Sequence, residues 1–194
     1  MTIHEPMTML TDYALGAISA YAAIALLRHP QPSRRLWALA FAALAAAAFL
    51  GGTWHGFLQS SLLWKATTLS AGVASFGMVA GSSFAVFSGQ LRVFILTAAL
   101  AKLVVYSAWM LGHDAFLYVV IDTGLAFTAV AAMHLWKWNG PILAGVAVSI
   151  AGALVQASGL RLHAHFNHND LYHVIQIAAL VLLYRGAKRL EDRT

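Results

Sequence analysis

Polar clusters punctuate this chain at regular intervals, and between them run stretches in which apolar residues occupy every helical face. A helix that is apolar all round belongs in a bilayer or a deep core, and about 20 such residues cross the hydrocarbon of a membrane. The pattern predicts seven spans, over 7–28, 34–57, 62–88, 91–111, 114–135, 140–158 and 169–187. The breakers between them are His29-Pro30-Gln31-Pro32-Ser33, Ser88-Gly89-Gln90, Gly112-His113-Asp114 and Asn139-Gly140-Pro141. The softest boundary is the second, because Gly56 to Lys65 is only moderately polar. No repeat of roughly 20–50 residues is present. Residues 1–194 therefore read as one all-α domain, a seven-transmembrane-helix bundle.

Composition reinforces that picture. Hydrophobic residues make up 60% of the chain and charged residues 10%, against roughly 25% charge in a soluble domain. With no cysteine, disulfides and thiolate metal sites are excluded, and a metal would need His, Asp, Glu, Asn or water. The first apolar run has His4, Glu5 and Asp12 ahead of or within its start and Arg28 after it. A secretory signal has its basic residues first, so the run is expected to stay as a permanent helix.

The formal charge of +5 is distributed as for a membrane partner rather than nucleic acid. With seven spans, Arg28, Arg34, Arg35, Arg92, Lys137, Arg185, Lys188, Arg189 and Arg193 fall on one side, and Lys65 and Arg161 on the other. The positive-inside rule then puts the N-terminus outside and the C-terminus in the cytoplasm. A bacterial inner membrane, with the polar site facing the periplasm, is the expected location. Trp37, Trp136, Trp138 and Tyr184 mark the inner boundary, and Tyr13, Trp54, Trp64, Trp109 and Tyr172 the outer one.

Candidate chemistry gathers at the outer end. Seven of nine histidines are expected there: His4, His55, His113, His163, His165, His168 and His173, with the acids Glu5, Asp12, Asp114 and Asp170. At the head of the seventh span, Asn169, His173 and Gln176 share one helical face and Asp170 lies beside it. His55, near the end of the second span, is placed to meet them. Two imidazoles and a carboxylate with an open fourth position are the donor set of a hydrolytic zinc site. Plainer readings stand beside each residue: Asn169 or Asp170 as a helix cap, His173 as a hydrogen-bonded interhelical group, and His163, His165 and His168 as solvated loop residues. Asp12 suits a cap, a cation site or a pocket wall. Lys102 and Asp122, near the middle of the fourth and fifth spans, read first as a buried ion pair and second as a proton relay. A retinal Schiff base is disfavoured, because the final span has no lysine before Lys188.

Seven spans, an outward N-terminus, His55 closing the second span and Leu171-Tyr172-His173 opening the seventh resemble the CREST superfamily. Its members include alkaline ceramidases, adiponectin-receptor-like proteins and Per1-type lipid-remodelling proteins. The resemblance implies a zinc-centred bundle that hydrolyses lipid amide or ester bonds, with His55 and His173 matching two family histidines. Three positions depart from that pattern: Asn169 replaces the first histidine of the final pair, Gly51 replaces a serine, and Lys65-Ala66-Thr67 stand where an aspartate is expected.

The leading expectation is a zinc-dependent hydrolase of a membrane lipid. His55, His173, Asp170 and His168 are its candidate metal ligands, and Asp170 is the candidate proton carrier. The alternative is a non-enzymatic seven-helix protein (receptor-like, ion-translocating or an assembly component) that uses its outer histidines for sensing or structure.

Overall fold

The computed structural model describes residues 3–163 and 166–194. Among them are seven helices, α1 (Pro6–Leu27), α2 (Pro32–Gly56), α3 (Ser61–Val86), α4 (Gly89–Gly112), α5 (Leu117–Trp136), α6 (Gly140–Ser158) and α7 (His168–Ala187). No strand occurs among the described residues beyond a single bridge between His163 and Phe166. The helix ends follow the polar breakers. Proline occupies the first turn of α1, α2 and α6, where its missing N–H costs no hydrogen bond. The Ser60 hydroxyl accepts from Leu63 N–H at the head of α3, and the Asn139 side chain accepts from Ile142 N–H at the head of α6. Gly159, with φ of 68°, closes α6 in the left-handed conformation.

Six helices, α1 to α6, are long and apolar enough to cross a membrane. The seventh has 20 residues, but Asn169, Asp170, His173 and Gln176 dilute its first half. It packs along α6 and α1 within the same bundle.

Glycine permits the closest helix crossings. A Cβ on Gly77 of α3 would lie 2.8 Å from both Ala40 N and Leu36 O of α2. A Cβ on Gly186 of α7 would lie 2.8 Å from Ile142 N of α6. Such approaches let backbone pack on backbone, the main source of helix association where lipid is as apolar as the side chains. The result is a ring in the order α1, α2, α3, α5, α6, α7, closed by contact of α7 with α1. Helix α4 stands outside this ring against α3, with only Ala99, Tyr106 and Met110 buried.

Lys102 and Asp122 form the expected ion pair, joining α4 to α5. At the basic end, the C-terminal segment folds across the helix ends. Ser33 N–H donates to Asp192 Oδ1 at 3.0 Å, Arg34 Nε donates to Leu190 O at 2.7 Å, and Arg193 N–H donates to Phe84 O at 2.9 Å.

Candidate functional site

The helix ring encloses an elongated cavity of about 370 Å³. Its lining repeats at helical spacing on each wall, for instance Leu44, Ala48, Gly51 and His55 on α2, and Asn169, Tyr172, His173, Gln176, Leu180 and Leu183 on α7. Polarity is graded along its length. Asp12, His55, Trp64, Phe116, Gln156, Asn169, Tyr172 and His173 come from helix ends that share one end of the bundle, whereas Leu44, Met78 and Phe127 lie in the middle part of their helices and Leu183 toward the far end of α7. Deeper in, Ser75 and Ser149 line the cavity with buried hydroxyls that have no hydrogen-bond partner among the described residues.

Two imidazoles define the polar end. His173 Nδ1 lies 3.0 Å from Thr11 Oγ1, and Nε2 lies 3.3 Å from Asp12 Oδ1. The Thr11 hydroxyl is also within 3.0 Å of the Met7 and Thr8 carbonyls. When it donates to one of these, its oxygen accepts from His173 Nδ1–H. His173 Nε2 and the Asp12 carboxylate then face each other across a gap that needs a shared proton to be attractive. Asp12 is only 7% exposed, so that interaction is poorly screened. His55 is held from behind, with Nδ1 2.7 Å from Glu5 Oε2. The segment carrying Glu5 is pinned over the end of α2, where Glu5 N–H donates to His55 O at 3.3 Å.

Helices α1 and α7 run parallel here and are joined by a ladder of polar contacts. Thr8 meets Asp170, and one turn on, Thr11 and Asp12 meet His173. Asp170 belongs to the ladder and not to the cavity wall. Its Oδ1 accepts from Thr8 Oγ1 at 2.8 Å and its Oδ2 from Asn167 N–H at 2.7 Å. The Asn167 side chain accepts in return from Asn169 N–H and Asp170 N–H. This reciprocal capping box starts α7: Asn167 is the N-cap residue, Asp170 closes the box from the third helical position as one of the expected caps, and the Asn169 side chain takes no part in it.

Of the residues predicted from sequence to hold zinc, His55 and His173 reach one cavity, while Asp170 and His168 are outside its lining. His165 lies outside the described residues. Asn169 lines the cavity and its Oδ1 accepts from Gln156 Nε2 at 3.3 Å. Among the described residues, no three His, Asp or Glu groups are gathered closely enough to share a metal ion. One Asp170 oxygen is committed to Thr8 and the other to the cap, so Asp170 is not placed as a zinc ligand, whereas Glu5 on His55 Nδ1 engages only one nitrogen of that ring. Lys65 illustrates how far the site departs from the resemblance. Its Nζ donates to the Met110 and His113 carbonyls at 2.6 and 2.8 Å and pairs with Asp114 Oδ1 at 2.7 Å, sealing the end of α4.

Asp12 takes the pocket-wall place that was one of three left open for it and Glu5 was known only as an outer acid, while Thr11, Trp64 and Gln156 complete the site without having been selected as site residues from sequence. For Asp12 the signal existed, since an acid inside an apolar run seldom lacks a task.

The fold and cavity define an all-α bundle of membrane type. The chain belongs to DUF6962, a family of unknown function whose model matches residues 7–192. No curated protein and no solved structure matches it.

Proposed function

We propose that this protein is a seven-pass integral membrane protein that binds a long-chain, lipid-like amphiphile inside its helix ring. The observation that carries the reading is the graded cavity, with polar groups at one end and hydrocarbon at the other. Clefts of roughly 300–1,000 Å³ with a few convergent polar groups are typical of small-molecule sites. In this reading α7 crosses the membrane with the other six, its polar stripe turned to the cavity. The basic residues at the opposite end favour an external N-terminus and a cytoplasmic C-terminus, so that in a bacterial inner membrane the polar end faces the periplasm.

The test is binding of a neutral fluorescent alkyl alcohol to protein in maltoside micelles, compared with Ala47→Phe, which fills the cavity wall. Wild type binds saturably and the variant loses at least about tenfold in affinity, roughly the 1.4 kcal/mol that one lost side-chain contact supplies. Equal binding by the two proteins overturns the proposal.

A second reading, lipid acyl hydrolysis, is favoured by one observation: His55, on the cavity wall, has its Nδ1 2.7 Å from the Glu5 carboxylate. Both nitrogens of His173 are already engaged by Thr11 and Asp12, but the His55 imidazole, held at Nδ1 by a carboxylate, keeps Nε2 for a proton and has the arrangement of a general base. It would take a proton from water as that water attacks an ester or amide carbonyl, with Asn169 and Gln156 amides near the developing oxyanion. No step is assigned to zinc. Fatty acid released from ester and amide lipids by wild type, and abolished in His55→Ala and Glu5→Gln, supports this reading. Saturable binding without release restricts the function to binding.

A further inference from the structure

At the polar end of the cavity each imidazole is paired with a carboxylate, His173 with Asp12 and His55 with Glu5. Among the described residues lining it there is no lysine or arginine, and its one formally charged side chain is the carboxylate-bearing Asp12. A second carboxylate, Glu5, stands directly behind His55. The nearest basic side chain in the same helix turn as Trp64 is Lys65, and its ammonium is already committed to two carbonyls and Asp114. An anionic head group entering here would find no unpaired cation, whereas an ammonium head can take the place of the proton that His173 and Asp12 share, at a depth where screening is weak.

The same end is walled with aromatic rings. Trp64, Phe116 and Tyr172 line it. Trp64 and Phe116 have ring centroids 6.2 Å apart, and Trp54 packs on Trp64 at 5.1 Å, extending the aromatic wall outward. Ring faces attract cations through their quadrupoles, by about 0.5–1 kcal/mol when exposed and about 2 or more when desolvated. A carboxylate combined with several aromatic faces is the arrangement that recognises ammonium groups. Below it, Leu15, Leu44, Phe127, Leu180 and Leu183 offer only hydrocarbon.

The geometry points to a ligand of one chemical class, a long-chain ammonium amphiphile whose cationic head lies against Asp12 and the Trp64–Phe116–Tyr172 wall and whose alkyl chain fills the deeper cavity. This inference rests on the reading of the cavity as a lipid-binding site and adds the charge of the head group. It makes Asp12 and Trp64 selectors of the ligand.

The experiment compares three probes of equal chain length, hexadecyltrimethylammonium, hexadecanol and hexadecyl sulfate. Each displaces the fluorescent alkyl alcohol from the full-length protein in maltoside micelles, below the concentrations at which it alters the micelle. The cationic probe is expected to displace at a concentration at least about tenfold lower than the anionic one, with the neutral probe between them. Asp12→Asn brings the cationic and anionic values to within about threefold of each other. Trp64→Leu keeps apolar volume without a π face and also narrows the ratio, which covers the case of Asp12→Asn failing to fold. Equal or stronger displacement by hexadecyl sulfate, or an unchanged ratio in a folded Asp12→Asn or Trp64→Leu protein, overturns the assignment. Hexadecanol separates the two failures: if it displaces and the cationic probe shows no advantage, the cavity reading stands and the ammonium preference falls. If no probe displaces and the fluorescent alcohol itself binds no better than to Ala47→Phe, the cavity reading falls with it.

Discussion

Replacing Asp170 with alanine separates a structural carboxylate from a catalytic one. In the native protein its two oxygens accept from Thr8 Oγ1 at 2.8 Å and Asn167 N–H at 2.7 Å, and the residue is 1% exposed. Hydrogen bonds to a charged group each contribute about 1.5–3 kcal/mol, and loss of a capping interaction costs about 1 kcal/mol. The freed Thr8 hydroxyl recovers part of this by turning to a carbonyl of its own helix. A net loss of about 3 kcal/mol follows, a factor of roughly 100 in the folded-to-unfolded ratio. Asp170→Asn is nearly isosteric: its carbonyl accepts from Asn167 N–H while its amide donates to the Thr8 oxygen, limiting the cost to about 1 kcal/mol. Thr8→Val leaves one carboxylate oxygen without its donor and falls between the two. Reversible unfolding in mixed maltoside and dodecyl sulfate micelles, followed by tryptophan fluorescence, ranks the three variants. Thr8 and Asp170 should also couple by about 0.5–3 kcal/mol in a double-mutant cycle. The reasoning is refuted if Asp170→Ala is as stable as wild type yet loses ligand binding or lipid hydrolysis, because the carboxylate then acts on the ligand itself.

Lys102→Met strands the Asp122 carboxylate, which is 4% exposed, and should cost about 3–5 kcal/mol, while Lys102→Met with Asp122→Leu restores most of it; a double variant no more stable than the single one argues instead for a functional role of the pair. Gly77→Ala forces backbone apart at the 2.8 Å crossing of α2 and α3 and should cost about 1–3 kcal/mol. In contrast, Gly124→Ala, with nothing within 4 Å of its Cβ, should be neutral or stabilising by up to about 1 kcal/mol; equal effects in the same unfolding assay contradict the packing account. Protein washed with chelator and analysed by elemental mass spectrometry should hold well under one zinc per chain, and one equivalent that disappears in both His55→Ala and His173→Ala shows that the histidines do assemble a metal site.

Most of the helical layout was legible because it depends on local properties: apolar runs of spanning length, and Pro, Gly, Asn and Ser where they end. The expected spans and observed helices differ by only a few residues at each end. The head of α7 was read less well. Asn169 and Asp170 were the natural capping candidates by residue type, but Asn167, two residues upstream of the expected span, is the N-cap, with Asp170 as its partner in the box. Its choice depends on Asp170 being able to reach back to Asn167 N–H, a matter of three-dimensional fit. The partner of His173 was hidden for a different reason. Asp12 is 161 residues away, and nothing in local pattern reveals that α1 and α7 lie side by side and parallel. The Lys102–Asp122 pair, by contrast, joins consecutive antiparallel spans and could be anticipated from depth alone.

The three departures from the CREST pattern are not isolated losses, because each position takes part in a different interaction. The space beside Gly51 is shared with the acid from α1: a Cβ built there would lie 3.6 Å from Asp12 Oδ2 and 3.5 Å from Thr67 Cγ2. A serine Cβ there would make only ordinary contacts, with its hydroxyl beside the carboxylate that faces His173. Asn169 is tied to Gln156 of α6, a bond that brings an amide pair, rather than a second imidazole, to the cavity wall. Lys65 holds the end of α4 and the loop after it through three contacts. These contacts favour a cavity shaped around Asp12, with the His55 and His173 imidazoles each beside a carboxylate.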